Sequence, residues 1–241
     1  MKAIVGGNVI DGTGAPVAVD STVLIDGERI LEVGPSAAVT VPPDAEVIDA
    51  AGMTVMPGLI DCHDHLMSEN YDLLSRWGLD DPASLRFLRT ANVLEDTLIS
   101  GYTSVRDGGG LDAGFKMAVE GGVISGPRLM VSVNIISPTG GLADRVSASG
   151  HRNLLYADPR MPSGVANGPD AVQEKVREMV TAGADVIKFA TTGGASSRPG
   201  HGPRDASFEE AEVEALVTQA ASMGRKTMCH ALAGPGLRMA I

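Results

Sequence analysis

Beyond Pro57-Gly58 the sequence repeats one rhythm: an apolar strand, a loop, then an amphipathic helix. Strands that alternate with helices pair in parallel, so this part of the chain is expected to be α/β. Strands are expected at 54–61, 102–106, 128–136, 185–190 and 226–231. A helix is expected at 82–100, where Pro82 suits the first turn and Gly101 stands past the end. Leu85, Leu88, Ala91, Leu94 and Leu98 give it an apolar stripe. A second is expected at 170–182, with Val172, Val176, Met179 and Val180 on one face and Gly183 behind it. Ser207-x-x-Glu210 reads as a capping box that opens a third, ending at Gly224. Long connections at 137–168 and 191–206 follow the third and fourth strands. Loops of that length either carry function or are simply mobile.

Residues 1–56 have another texture. Ile4-Val5, Val9-Ile10, 22–25, 30–33 and Val47-Ile48 are short β-prone pieces separated by turn signals, and Asp26-Gly27 marks a hairpin. A small β module is expected at 1–56 and the α/β part at 57–241. Five parallel strands would leave an uncovered edge. The last residues, GPGLRMAI, open a helix that nothing closes. The chain therefore reads as the N-terminal part of something longer.

Thirty acidic residues against 19 basic ones give a net charge of −11. That balance argues against nucleic acid or an anionic membrane as partner. Two cysteines, Cys62 and Cys229, are too few for a disulfide framework, so a reducing cytoplasm is expected. The start, MKAIVGGNVIDG, has no signal-peptide core, and no apolar run is long enough to span a membrane. Aromatics make up only 3% of the chain, so the core must be built from aliphatic residues and methionine.

Residues with chemistry gather at the ends of the expected strands. In LIDCHDHLM, alternation points His63 and His65 one way and Cys62 and Asp64 the other. Two imidazoles so placed make a bidentate grip for a metal of the zinc kind, or are a chance pair. The C-terminal end of a parallel strand is where barrels keep their sites. Lys188 lies inside DVIKFA, an otherwise apolar strand. A lysine there loses its charge, pairs with a carboxylate, or snorkels out from the strand end. Once neutral, it can take up carbon dioxide as a carbamate, an anion with two ligand oxygens. His230 ends the fifth strand, either as a third ligand or as a satisfied core histidine. Arg106 and Asp107 end the second strand as a substrate contact or a structural ion pair. His151 and His201 sit in the two long loops, either solvated or reaching down to substrate. Cys62 and Cys229 face away from the ligands and are expected to pack as small residues. The glycines of GGGLDAG are spaced one residue too long for a dinucleotide fingerprint.

Taken in order, the blocks NVIDGTG, VLIDGERILEVG, VIDAAGMTVMPGLIDCHDHL, GYTSVRDGGG, SPTGG, GADVIKFATTGG and GRKTMCHALAGPGLRMAI resemble the metal-dependent amidohydrolase superfamily. Within it they resemble the branch of imidazolonepropionase-like enzymes and Xaa-Pro dipeptidases (prolidases). The resemblance covers the whole chain. It implies a (β/α)8 barrel of the TIM type, of which about five strands are present, beside a β-sandwich that takes in 1–56. It implies that His63 and His65 bind the more buried of two divalent metals. Lys188, carboxylated, would bridge the pair, and His230 would bind the second. The lysine favours the binuclear, prolidase-like branch. Zinc is the expected metal, with manganese, iron or cobalt also suited to such ligands. The implied reaction is hydrolysis of a carbon–nitrogen bond in a small amide or dipeptide by a metal-activated hydroxide. Arg106, His151 and His201 are the candidate substrate contacts, and a homo-oligomer is compatible with this reading. The family often carries a histidine after T-G-G, where this chain has Leu142. A further histidine and the general-base aspartate would lie beyond Ile241, so the 241 residues alone are expected to be inactive. The alternatives are a cyclic amidohydrolase or deaminase of the same superfamily, or an inactive metal-binding fragment.

Overall fold

The computed structural model describes residues 1–67, 82–144, 161–194 and 201–241. They form two compact units, Met1–Gly58 and Leu59–Ile241. Among the described residues no helix is long and apolar enough to cross a membrane.

The first unit is a five-stranded sheet of β1 (Lys2–Val9), β2 (Ala18–Asp26), β3 (Arg29–Pro35), β4 (Glu46–Asp49) and β5 (Thr54–Val55). The order is β3-β2-β1-β4, with β5 also pairing β1. The hairpin between β2 and β3 turns at Gly27, whose φ of 55° suits glycine. Ala3, Leu24 and Val39 form its buried core. The two short pieces expected at 4–5 and 9–10 run together as β1. The pairing with β2 slips on either side of Gly7, where a Cβ would come within 2.6 Å of the Val55 side chain.

The second unit begins with β6 (Leu59–Asp64). The single strand expected at 54–61 is therefore two strands in two units. Pro57 has no N–H to extend a ladder, and the chain breaks there. Then follow α1 (Ala83–Ile99), β7 (Tyr102–Asp107), α2 (Ala113–Glu120), β8 (Arg128–Met130), β9 (Ile135–Ile136), α3 (Pro169–Thr181), β10 (Val186–Ala190), α4 (Glu210–Ser222), β11 (Lys226–His230) and α5 (Gly234–Met239). Two three-stranded parallel sheets result, β6-β7-β8 and β9-β10-β11. Leu94 of α1 packs with Val105, Leu129 and Val131 in one core cluster. Val172, Val176 and Met179 of α3 pack with Ile187, Phe189, Val213 and Leu216 in the other. Each such side chain, fully buried, contributes about 1.5–3 kcal/mol.

The strand expected at 128–136 is broken. Asn134 N donates to Ser132 O at 2.8 Å across Val133, whose φ is 66°. A β-branched residue there is strained. Tertiary bonds hold it: Gly110 N donates to Val133 O at 3.2 Å, and Asn134 Nδ2 donates to Pro162 O at 3.0 Å. Asp185 bridges the break, its N donating to Val131 O at 2.8 Å and its Oδ2 accepting from Val131 N at 3.0 Å.

Two helix starts differ from expectation. The capping box of α4 uses Glu209 and Glu212, because the Ser207 hydroxyl donates to Ala190 O instead, at 3.1 Å. Helix α2 has no counterpart among the expected helices. Asp112 in the glycine-rich stretch caps it, its Oδ1 accepting from Gly114 N at 2.8 Å.

Candidate metal centre

The four candidate ligands lie on, or one residue past, parallel strands. His63 is on β6 and His65 one residue past it. Lys188 is on β10, and His230 closes β11. The two histidine rings meet edge to face, with centroids 5.3 Å apart. Lys188 is 1% exposed, and its Nζ lies 3.2 Å from His63 Nε2. The structure thus brings His63, His65 and Lys188 together, and His230 is close enough for its charge to act on His63.

The hydrogen bonds assign the ring nitrogens. His65 Nδ1 lies 3.0 Å from Gly109 O, which can only accept, so Nδ1 carries the proton and the neutral ring keeps its lone pair on Nε2. His230 Nε2 lies 3.2 Å from Gly193 O, so its lone pair is on Nδ1. An ammonium only donates, so His63 Nε2 accepts from Lys188.

Burial and neighbouring charge favour the neutral forms of His63, His230 and Lys188. Although His63 as a residue is exposed, its Nε2 is turned in on Lys188. Desolvation, then the charges of Lys188, His65, His230 and Arg106, push His63 down to about 4. Burial likewise lowers His230. Burial pulls Lys188 down to about 8, with Cys229 and Asp107 opposing and Arg106 assisting.

This donor set fits a divalent metal on one condition. Among the described residues no three His, Cys, Asp or Glu side chains are grouped to hold an ion by themselves. The lone pair that His63 would offer is occupied by the lysine. Once Lys188 is neutral or carboxylated, that lone pair is released and the lysine turns from competitor into ligand.

Other expectations need correction. Arg106 and Asp107 form no ion pair. Arg106 Nε donates to Cys62 O at 2.7 Å, while Asp107 is fully buried and accepts from backbone amides. Burial raises the Asp107 carboxyl, and the bond from Leu66, the charge of His65 and the bonds from Gly109 and Leu111 oppose the shift. Cys62 is exposed rather than packed; Cys229 does pack, against the α3–α4 cluster. His201 is exposed, and its ring lies against Gly140 of the SPTGG loop. His151 lies outside the described residues. Leu142 reaches the edge of the centre, since a Cβ on Gly194 would be 3.4 Å from Leu142 Cδ1 and 3.6 Å from His230 Nε2.

The sequence alone does not connect Asp107 and the glycines behind it with the histidines, because GGG suggests only a nucleotide fingerprint. The available signal is a glycine run directly after a strand, next in space to the histidine pair. A Cβ on Gly108 would lie 2.9 Å from His63 Cδ2 and 3.2 Å from His65 Cε1. Gly108→Ala is therefore expected to displace both rings and to cost about 1–3 kcal/mol. A fall in the urea midpoint together with shifted His63 and His65 ring resonances checks this.

The comparisons agree on one relationship. A family model described as the amidohydrolase family matches residues 54–241. The chain is 31% identical over 198 residues to the ochratoxinase of Aspergillus niger, covering 78% of this chain and 41% of that protein. It is 30% identical over 239 residues to the N-acyl-D-glutamate deacylase of Alcaligenes xylosoxydans xylosoxydans, covering 94% of this chain and 43% of that protein. A solved prolidase complexed with N-methylphosphonate-L-proline is 34% identical, with a TM-score of 0.87 over 99% of this chain and 58% of that one. The chain thus spans less than half the length of these two curated relatives.

Proposed function

The chain belongs to the amidohydrolase family, and on that footing we propose that it carries part of the metal centre of a hydrolase that cleaves carbon–nitrogen bonds. The proposed frame is a (β/α)8 barrel in which β8 and β9 together count as one strand, so that the second unit supplies the first five. The observation that carries this reading is Lys188. A fully buried lysine, held down to about 8 and donating to a neutral histidine, has no economical structural role.

His63, His65, Lys188 and His230 are the proposed ligands of two divalent ions, zinc before manganese, iron or cobalt. Such ions, when bound, supply a water of lowered pKa and polarise the scissile carbonyl. The chain's own groups do the rest. Deprotonated Lys188 forms a nitrogen–carbon bond to carbon dioxide and releases a proton, leaving a carboxylate on Nζ. Gly109 O holds His65 by its Nδ1, and Gly193 O holds His230 by its Nε2. Arg106 commits Nε to Cys62 O and is proposed to offer its remaining N–H groups to a substrate carboxylate. His201 is a second candidate for substrate contact. The carboxylate that transfers the proton to the leaving nitrogen is proposed to come from the part of the relatives' length this chain does not span. The proposed substrates are small amides, Xaa-Pro dipeptides first, on the likeness to the prolidase.

The test is metal content by elemental mass spectrometry, on protein loaded with zinc in bicarbonate buffer and then dialysed. The wild type is expected to retain metal, and the His63→Ala, His65→Ala double variant to lose it. Equal content in the two sinks the proposal. Native mass spectrometry reads the lysine directly, since a loaded protein without the added mass of carbon dioxide refutes the carbamate.

A further inference from the structure

Asp107 has no role in the reading above, yet among the described residues of the second unit no carboxylate is more completely enclosed. It is 0% exposed, and among the described residues no lysine or arginine pairs with it. Instead it gathers backbone amides from two different loops. Its Oδ2 accepts from Leu66 N at 2.9 Å, in the loop that follows β6. Its Oδ1 accepts from Gly109 N at 2.8 Å and Leu111 N at 3.3 Å, in the loop that follows β7.

Those two loops carry both partners of one further bond. His65 directly precedes Leu66, and the carbonyl that takes the His65 Nδ1 proton belongs to Gly109. One carboxylate thus holds the residue beside the histidine and the residue that orients it. Gly108 N donates to Asp64 O at 2.7 Å and ties the same loops a second time. Gly109 has a φ of 133°, which glycine adopts and other residues avoid.

We infer that Asp107 is a positioning residue: through Leu66 N and Gly109 N it fixes His65 as the Nδ1–H tautomer, with Nε2 presented to the centre. A simple turn cap would need only the Gly109 bond, two residues on. The bond to Leu66, 41 residues back, is what reaches the histidine. The bearing on metal binding rests on the proposed function; the tautomer does not.

Asparagine tests this with little change in shape. It can present one acceptor oxygen, and its NH2 group must then face an N–H of either Leu66 or Gly109. The repelled loop would carry Gly109 O away from His65. Long-range proton–nitrogen spectra of ¹⁵N-histidine-labelled protein read each ring, with His65 assigned by its loss in His65→Gln. In the wild type, His65 is expected as Nδ1–H. In Asp107→Asn, the Nε2–H form is expected to appear at His65, while His230 keeps its pattern. Zinc affinity is expected to fall about 10–100-fold.

A folded Asp107→Asn variant whose His65 stays Nδ1–H overturns the inference. So does a wild-type His65 found as Nε2–H, which needs no variant to fold. If the tautomer changes while neither protein binds zinc, the positioning role stands and the metal centre falls. If both bind zinc equally and the tautomer holds, the metal centre stands and the positioning role falls.

Discussion

Lys188→Met is expected to make the chain more stable at neutral pH while abolishing any retained metal. Lys188 is 1% exposed and titrates near 8, against 10.5 for a free lysine. The folded state therefore disfavours the ammonium. Above 10.5 the lysine is neutral in both states and costs nothing. As the pH falls from 10.5 to about 8, the unfolded chain takes up the proton first, and folding loses stability. Below about 8 the deficit is complete and amounts to about 3 kcal/mol. Methionine fills a similar volume without a charge. It gives up the bond to His63, worth about 1 kcal/mol. The net gain at pH 7 is then about 2 kcal/mol. It should shrink as the pH is raised toward 10.5. Urea unfolding of both proteins at several pH values checks this. A variant less stable than wild type at pH 7 would mean that the lysine is not the liability its burial indicates. A gain in stability with a loss of metal is the pattern of a side chain kept for function.

The face on which Lys188 lies is legible in the amino-acid pattern, and so is its company. Alternation puts His63 and His65 on one face of their strand, and Lys188 on the face it shares with Val186 and Ala190. The helices are legible too, because Leu94, Val172 and Met179 fall on helical stripes and are buried as such. What escapes such a reading is set by partners far along the chain. Ser132 and Asn134 suit a turn, but the β-branched Val133 between them reads as strand. The break there is held by Gly110 and by Pro162, and neither bond can be read locally. Ser207 has the composition of a cap, but Ala190 O claims its hydroxyl from 17 residues away. Asp107 next to Arg106 suggests a local ion pair, yet neighbours on a strand face opposite ways. One turns to Cys62 O and the other into the core.

The two glycines of TTGG look equivalent in sequence, and the structure makes them opposite. A Cβ on Gly193 would lie 1.6 Å from His201 O, 2.5 Å from His201 C and 2.8 Å from Gly202 O. All three are backbone atoms and cannot rotate aside. Gly193→Ala must therefore separate the 191–194 segment from the chain at 201–202. That movement strains the bond from His230 Nε2 to Gly193 O, and with it the orientation of the ring. The expected loss is about 1–3 kcal/mol from overpacking. The weakened hydrogen bond adds about 1 kcal/mol. The described atoms nearest a Cβ on Gly194 are Leu142 Cδ1 at 3.4 Å and the His230 ring at 3.6 Å, which is ordinary contact. Neither glycine has a left-handed φ, so backbone strain does not separate them. Gly194→Ala is expected to be neutral, or to stabilise by about 0.4–1 kcal/mol through the unfolded chain. Urea midpoints of the two variants, with the His230 ring resonances as a local reporter, decide the matter. Equal losses would place the cost in backbone freedom rather than in the collision with His201. A loss confined to Gly193→Ala, with His230 shifted, would show that this glycine is there to let the 191–194 segment pack against the chain at 201–202.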